Sequence, residues 1–183
     1  MAPAKAAASG GLRVNVADLT RKPGARRHER VSGRFGAMKV VGTSVPAGTE
    51  VVVDAVLEWV SDGVLASGEA IAPWEGECRR CLGPVRGEAR AEFRELFERR
   101  AREGETYPLR NEHIDLEPLA REALLIELPL APLCSLDCRG LCPTCGADLN
   151  TGACDCPEPQ GDPRWQALDV LKGALDKGPG GGD

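Results

Sequence analysis

Large side chains are scarce in this chain of 183 residues, with three Trp, three Phe and one Tyr bringing aromatics to only 4 %. A core filled by bulk alone is excluded, and crosslinks are expected to help the fold close. Only two histidines occur, His28 and His113, and neither stands in a carboxylate–serine or cysteine pattern suited to nucleophilic catalysis. P-loop and GxGxxG signatures are missing, so the residues point away from an enzyme and from a small-molecule substrate. No stretch approaches 18 consecutive apolar residues, and no transmembrane helix or membrane partner is expected. Excess positive charge is lacking as well: 23 basic against 28 acidic residues give −5, which argues against gripping nucleic acid through the overall field and leaves only a local basic patch. The opening MAPAKAAASGG holds no apolar run of signal-peptide character, so residues 1–11 are expected to be a disordered leader. A cytoplasmic setting with reduced thiols follows as the expectation.

What the chain does have is cysteine. Six of its eight cysteines fall in Cys134–Cys156, CSLDCRGLCPTCGADLNTGACDC, and the other two form the upstream C-x2-C of ECRRCL, Cys78 and Cys81. The eight make four close pairs, the ligand supply for two four-thiolate metal sites. Zinc takes four thiolates in a tetrahedron at ~2.3 Å, and a close pair lets one turn of backbone offer two sulfurs to one ion. Cys142-Pro143-Thr144-Cys145-Gly146 is the most specific instance, because Gly146 can adopt the positive φ that aims backbone N–H groups at sulfur.

Four pairs can combine into two sites in three ways, one of them preferred on loop closure and a ribbon its rival. In the first, Cys142, Cys145, Cys154 and Cys156 close a short local loop at little entropic cost, leaving Cys78, Cys81, Cys134 and Cys138 as a tertiary staple. In the second, a zinc ribbon, Cys78/Cys81 share an ion with Cys142/Cys145 and Cys134/Cys138 pair with Cys154/Cys156. Either way two Zn2+ ions are expected, fully ligated by protein and therefore structural. Arg79, Arg80 and Arg139 then offset the negative charge of the thiolates locally.

Around the cysteines, alternation at Leu12–Val16 predicts a short strand, and Val51–Trp59 and Val64–Ala72 predict a hairpin turning at Ser61-Asp62-Gly63. Val85–Arg94 predicts a third strand, apolar on one face and alternating Arg and Glu on the other. Cys78 and Cys81 then sit in the connection of an antiparallel pair. Residues 98–110 read as an exposed loop. A helix is predicted from Asp115, as N-cap, to Leu128, stopped by Pro129 and buried through Leu119, Ala120, Ala123, Leu124, Ile126 and Leu128. Asp162-Pro163 starts a short final helix, and 176–183 is a flexible tail.

The fold class expected is α+β, an antiparallel hairpin and meander sheet packed on a buried helix, in one domain over 12–175 that includes the zinc-binding segment 134–156. Arg21, Lys22, Arg26, Arg27, Arg30 and Arg34 form the most basic segment. Its plain reading is a solvated loop or short amphipathic helix; its functional reading is contact with RNA phosphates, without the interleaved aromatics of a stacking platform.

The succession of ECRRCL, the charged strand, IDLEPLAREALLIELPLAPLC, CRGLCPTCGADLN, CDC and DPRWQAL resembles the YceD family, the large ribosomal RNA subunit accumulation proteins, also known as domain-of-unknown-function family 177. The resemblance implies a non-enzymatic role in synthesis, processing or stability of large-subunit (23S) ribosomal RNA, in bacteria and in chloroplasts. Its pattern, mapped onto this chain, groups Cys78 and Cys81 with Cys134 and Cys138. The partner it implies is ribosomal RNA or a large-subunit assembly or processing protein; oligomeric state is not implied. A zinc-sensing or thiol-redox regulatory protein is the alternative, distinguished by sites that lose metal to mild oxidant.

Overall fold

In the computed structural model, the structure describes residues 11–157 apart from Pro23 and Asp62, together with Arg164 and Leu168. The expected leader, for all but Gly11, the final helix, for all but Arg164 and Leu168, and the tail lie outside the described residues. The chain divides into two compact units, residues 1–138 and 139–183.

The first unit is mostly antiparallel sheet with one helix. Strands β5 (Glu50–Val60), β6 (Gly63–Glu77) and β7 (Pro84–Glu98) form its centre. All of β6 pairs with β7, from Gly63↔Glu98 to Glu77↔Pro84. The opposite edge of β6 is shared: β5 takes Gly63 to Ile71, and β4 (Thr43–Val45) takes Glu75 and Gly76. β3 (Met38–Val40) pairs with β4, and β8 (Tyr107–Pro108) lies parallel to the end of β7.

Alternation sets the faces, as the sequence predicts. Val51, Val53, Ala55 and Leu57 of β5 are buried, as are Val64, Ala66, Ala70 and Ala72 of β6 and Ala89, Ala91 and Phe97 of β7. The third strand runs four residues beyond its expected end, carrying Phe97 fully into the core. Small residues recur where the backbone is crowded. A Cβ at Gly68 would lie 2.1 Å from the Asp54 carbonyl oxygen, and one at Gly87 would lie 2.6 Å from the Trp74 indole.

The basic segment is neither loop nor helix over most of its length. β2 (Arg26–Arg34) pairs along all nine residues with β5, from Arg26↔Glu58 to Arg34↔Glu50. Alternation is present there too, but its half-buried set is Arg27, Glu29, Val31 and Gly33, so the apolar period that marks a strand is all but missing. Backbone pairing to a strong neighbour decides the conformation.

Helix α1 (Glu117–Glu127) buries Leu119, Ala120 and Leu124 in the same core cluster as the sheet residues. It is less enclosed than its composition suggests: Ile126 is 82 % exposed, because two residues past Leu124 turns the side chain to the opposite face. Its N-cap is Leu116, and Asp115 stands one position earlier, where its Oδ1 accepts the Glu117 N–H at 3.0 Å. Leu128 ends the helix in extended conformation before Pro129, as expected. The predicted strand at the start is β1 (Arg13–Asn15), paired with β9 (His113–Asp115). The expected loop at 98–110 holds β8, where Tyr107 stacks on Phe97 at 5.3 Å and donates to Glu122 at 2.6 Å.

In the second unit, Leu141 bridges Asp148, and Cys142 N–H donates to the Ala147 carbonyl at 2.8 Å, closing a tight hairpin around the CPTCG turn.

Candidate metal centres

Each unit holds one set of four cysteines: Cys78, Cys81, Cys134 and Cys138 in the first, and Cys142, Cys145, Cys154 and Cys156 in the second. Within each set all sulfurs lie within 4.8 Å of one another. The geometry is that of the local-loop-plus-staple pairing and not of the ribbon.

In the first set the hairpin turn between β6 and β7 supplies Cys78 and Cys81. Cys78 N–H donates to the Gly83 carbonyl at 2.8 Å, and Leu82 N–H donates to the Cys78 carbonyl at 2.9 Å. The chain leaving α1 supplies Cys134 and Cys138. It is held to the hairpin by Arg79 N–H on the Pro132 carbonyl at 2.9 Å, and by Arg80, whose Nη1 donates to the Leu136 and Cys138 carbonyls at 3.1 and 2.9 Å. Arg80 thus fastens the ligand loop by named bonds, a role beyond general charge compensation. Sequence spacing carries no signal of it.

Donor geometry fits a tetrahedral ion. Four thiolates at ~2.3 Å from a common centre stand about 3.8 Å apart. Cys78 and Cys138 sulfurs are 3.8 Å apart, and those of Cys81 and Cys134 are 3.6 Å apart. Burial is graded across the set: Cys78 and Cys138 are buried, Cys81 is intermediate and Cys134 is exposed.

Electrostatics agree. The backbone amides of Cys81, Cys134 and Arg80 hold the Cys78 thiol down to about 6, and the Arg80 amide lies 3.4 Å from its sulfur. Cys134, hydrogen-bonded to Cys138 and Cys81, is pushed up to about 12. The second set repeats this: amides of Cys145 and Thr144 bring Cys142 down to about 6, while Cys145 pushes Cys156 up to about 12. Four sulfurs this close cannot all ionise against one another, and a divalent cation is the charge that would let them.

The two C-x2-C turns are built alike. Leu82 follows Cys81 and Gly146 follows Cys145; both stand in the left-handed region, with φ of 59° and 74°, and each donates its N–H at 2.9 Å to the carbonyl of the first cysteine in its pair. Gly146 announces that geometry in the sequence. Leu82 conceals it.

The candidate basic residues Arg21, Lys22, Arg26, Arg27, Arg30 and Arg34 differ in their partners. Arg26 pairs with Glu58 at 3.0 Å, Arg27 with Asp18 at 2.5 Å and with Glu29, and Arg30 with Asp54 at 2.7 Å. Among the described residues Arg21, Lys22 and Arg34 make no ion pair. Three of the six candidates are therefore already engaged by carboxylates.

Residues 66–172, which include all eight cysteines, match the family described as large ribosomal RNA subunit accumulation protein YceD. An uncharacterized protein of Mycobacterium tuberculosis strain H37Rv is 38 % identical over 173 residues, covering 88 % of this chain and 82 % of that one. An uncharacterized protein of Mycobacterium leprae is 33 % identical over 165 residues, covering 84 % and 74 %. The large ribosomal RNA subunit accumulation protein YCED homolog 1, chloroplastic, of Zea mays is 38 % identical over 71 residues, covering 38 % of this chain and 22 % of that one. No solved structure matches. The chain belongs to the YceD family. Among the described residues no helix is long and apolar enough to cross a membrane.

Proposed function

We propose that this protein is a non-enzymatic accessory factor for the synthesis, processing or stability of large-subunit ribosomal RNA, held in shape by two structural zinc ions. The observation that carries this is the family match across residues 66–172, which spans both cysteine sets. Zinc is the ion best suited to four thiolates, and a set in which protein supplies all four ligands serves structure rather than catalysis. Cys78, Cys81, Cys134 and Cys138 would hold one ion, and Cys142, Cys145, Cys154 and Cys156 the other.

The test is depletion of the protein in its own host, with large- and small-subunit ribosomal RNA quantified side by side. A selective fall in the large-subunit RNA is expected, and unchanged amounts of both would remove the proposal. A pull-down at native salt with and without ribonuclease separates contact through RNA from contact through a ribosomal or processing protein. Metal that leaves both sites under mild peroxide would favour the sensing alternative.

A further inference from the structure

At the end of the central sheet opposite the first cysteine set, Trp59 stands half-buried near the close of β5 and lines a cavity of about 300 Å3 with Glu98, Arg99 and Arg100. Strand register explains the meeting. Trp59 pairs with Val64, and Val64 pairs with Phe97, so the chain leaving β7 delivers Arg99 and Arg100 beside the indole. On its other side Trp59 fastens the loop before β2: its N–H donates to the Ala25 carbonyl at 3.0 Å, and its carbonyl accepts the Gly24 N–H at 3.2 Å. That loop carries the exposed Arg21 and Lys22.

Charge around this cavity is lopsided. Glu98 is bridged by Arg102 at 3.7 Å, and Glu58 by Arg26 at 3.0 Å. Among the described residues Arg21, Lys22, Arg99 and Arg100 have no carboxylate partner, in a protein whose net charge is −5. An aromatic face flanked by uncommitted cations is the arrangement that stacks an unpaired base and takes up its phosphates. Trp59 is half-buried and packs partly against the core cluster, so what it offers is the part of its ring that lines the cavity beside the guanidinium groups. A binder of acidic peptides would have no use for that ring, and a duplex would hide the base faces it could meet.

We propose that Trp59, Arg99 and Arg100, with Arg21 and Lys22 on the adjoining loop, form a site for single-stranded RNA, one base stacking on the indole and neighbouring phosphates accepting from the cations. The site rests on the reading of the protein as a ribosomal RNA factor and gives that reading a binding surface. It also supplies the aromatic that the basic segment lacks in sequence, since Trp59 reaches it only through the pairing of β2 with β5.

Full-length protein loaded with zinc, titrated into a fluorescein-labelled twelve-nucleotide single-stranded RNA and followed by anisotropy, tests the site. Trp59→Ala should weaken binding roughly tenfold or more, and Trp59→Phe should recover most of it. Arg99→Glu with Arg100→Glu should weaken binding and flatten its salt dependence, the log–log slope falling by about 0.7 for each phosphate that is no longer neutralised. These arginines are exposed, so this variant reports even if Trp59→Ala fails to fold. Binding unchanged in the arginine and tryptophan variants overturns the site, as does a preference for the matching duplex or for polyglutamate. If the variants bind RNA like the parent while depletion still lowers large-subunit RNA, the site fails and the proposed function stands. If depletion leaves that RNA unchanged, the function fails whatever the titration shows.

Discussion

Cys78 and Cys138 bring their sulfurs to 3.8 Å across 60 positions of sequence, joining the β6–β7 turn to the segment that leaves α1. The second cysteine set joins only neighbours within one short loop. The two sets therefore differ in what they hold together.

Cys78→Ser should accordingly lower the melting temperature of the first unit by about 10 °C, taking roughly 3–5 kcal/mol for an orphaned ligand set in a domain of this size. Cys154→Ser should leave that transition in place and remove one metal equivalent. Calorimetry with metal analysis checks both. Equal loss of the main transition in the two variants would contradict the division of labour.

Removing the metal tests the staple without mutation. Protein purified at neutral pH is expected to carry two zinc ions per chain by mass spectrometry, and a competing chelator should strip the second set, three of whose thiols are at least partly open, before the first. Circular dichroism should then show sheet signal falling only as the second equivalent leaves. Full metal loss with an unchanged melting curve would count against a structural role.

Leu82 and Gly146 occupy equivalent left-handed positions, and only one of them is glycine. A left-handed non-glycine residue costs ~1–2 kcal/mol, against ~0.5–1 kcal/mol of extra chain entropy that glycine brings to the unfolded state. Leu82→Gly should therefore stabilise the protein by about 0.5–1 kcal/mol in urea unfolding, its side chain being 62 % exposed. Gly146→Leu should loosen the second set. A destabilised Leu82→Gly would show that the leucine packs on something.

Helix orientation predicts a contrast within three residues. Leu124→Ala, at a fully buried position, should cost ~2–5 kcal/mol, whereas Ile126→Ala should stay within about 0.5 kcal/mol. Similar costs at both positions would mean the exposed face of α1 is covered.

Asp54 gives a pH dependence whose sign is fixed. The His28 ring 2.5 Å away, and after it Arg30, hold its carboxyl below the ordinary 3.8. Such a group adds stability above pH 3.8 that is lost as pH falls through the lower folded value. Urea midpoints of the parent should exceed those of Asp54→Asn at pH 7, with the gap closing below pH 3.8. The pair is exposed and the gap small. A gap that persists at low pH would point to packing instead.

The features legible in the sequence are those in which local chemistry and tertiary structure agree. The alternation of Val51–Leu57 is the core face of β5, Pro129 ends α1, and the close spacing of Cys142 to Cys156 sets the local loop. The hidden features depend on partners distant in sequence. β2 is a strand because β5 lies beside it, although Arg27, Glu29 and Val31 give little apolar period. Arg80 finds its carbonyls 56 and 58 positions away, and Leu82 is left-handed because its turn must aim two sulfurs at one point.

The first cysteine set also imposes an order in time. Cys81 and Cys134 are 53 positions apart, and at ~5–20 residues per second a ribosome needs roughly 3–10 s to pass from one to the other. The hairpin with its first two thiols is complete while the second two are unmade. No chain stopped short of Cys134 can assemble this centre, so an ion with all four ligands certifies that synthesis has passed α1.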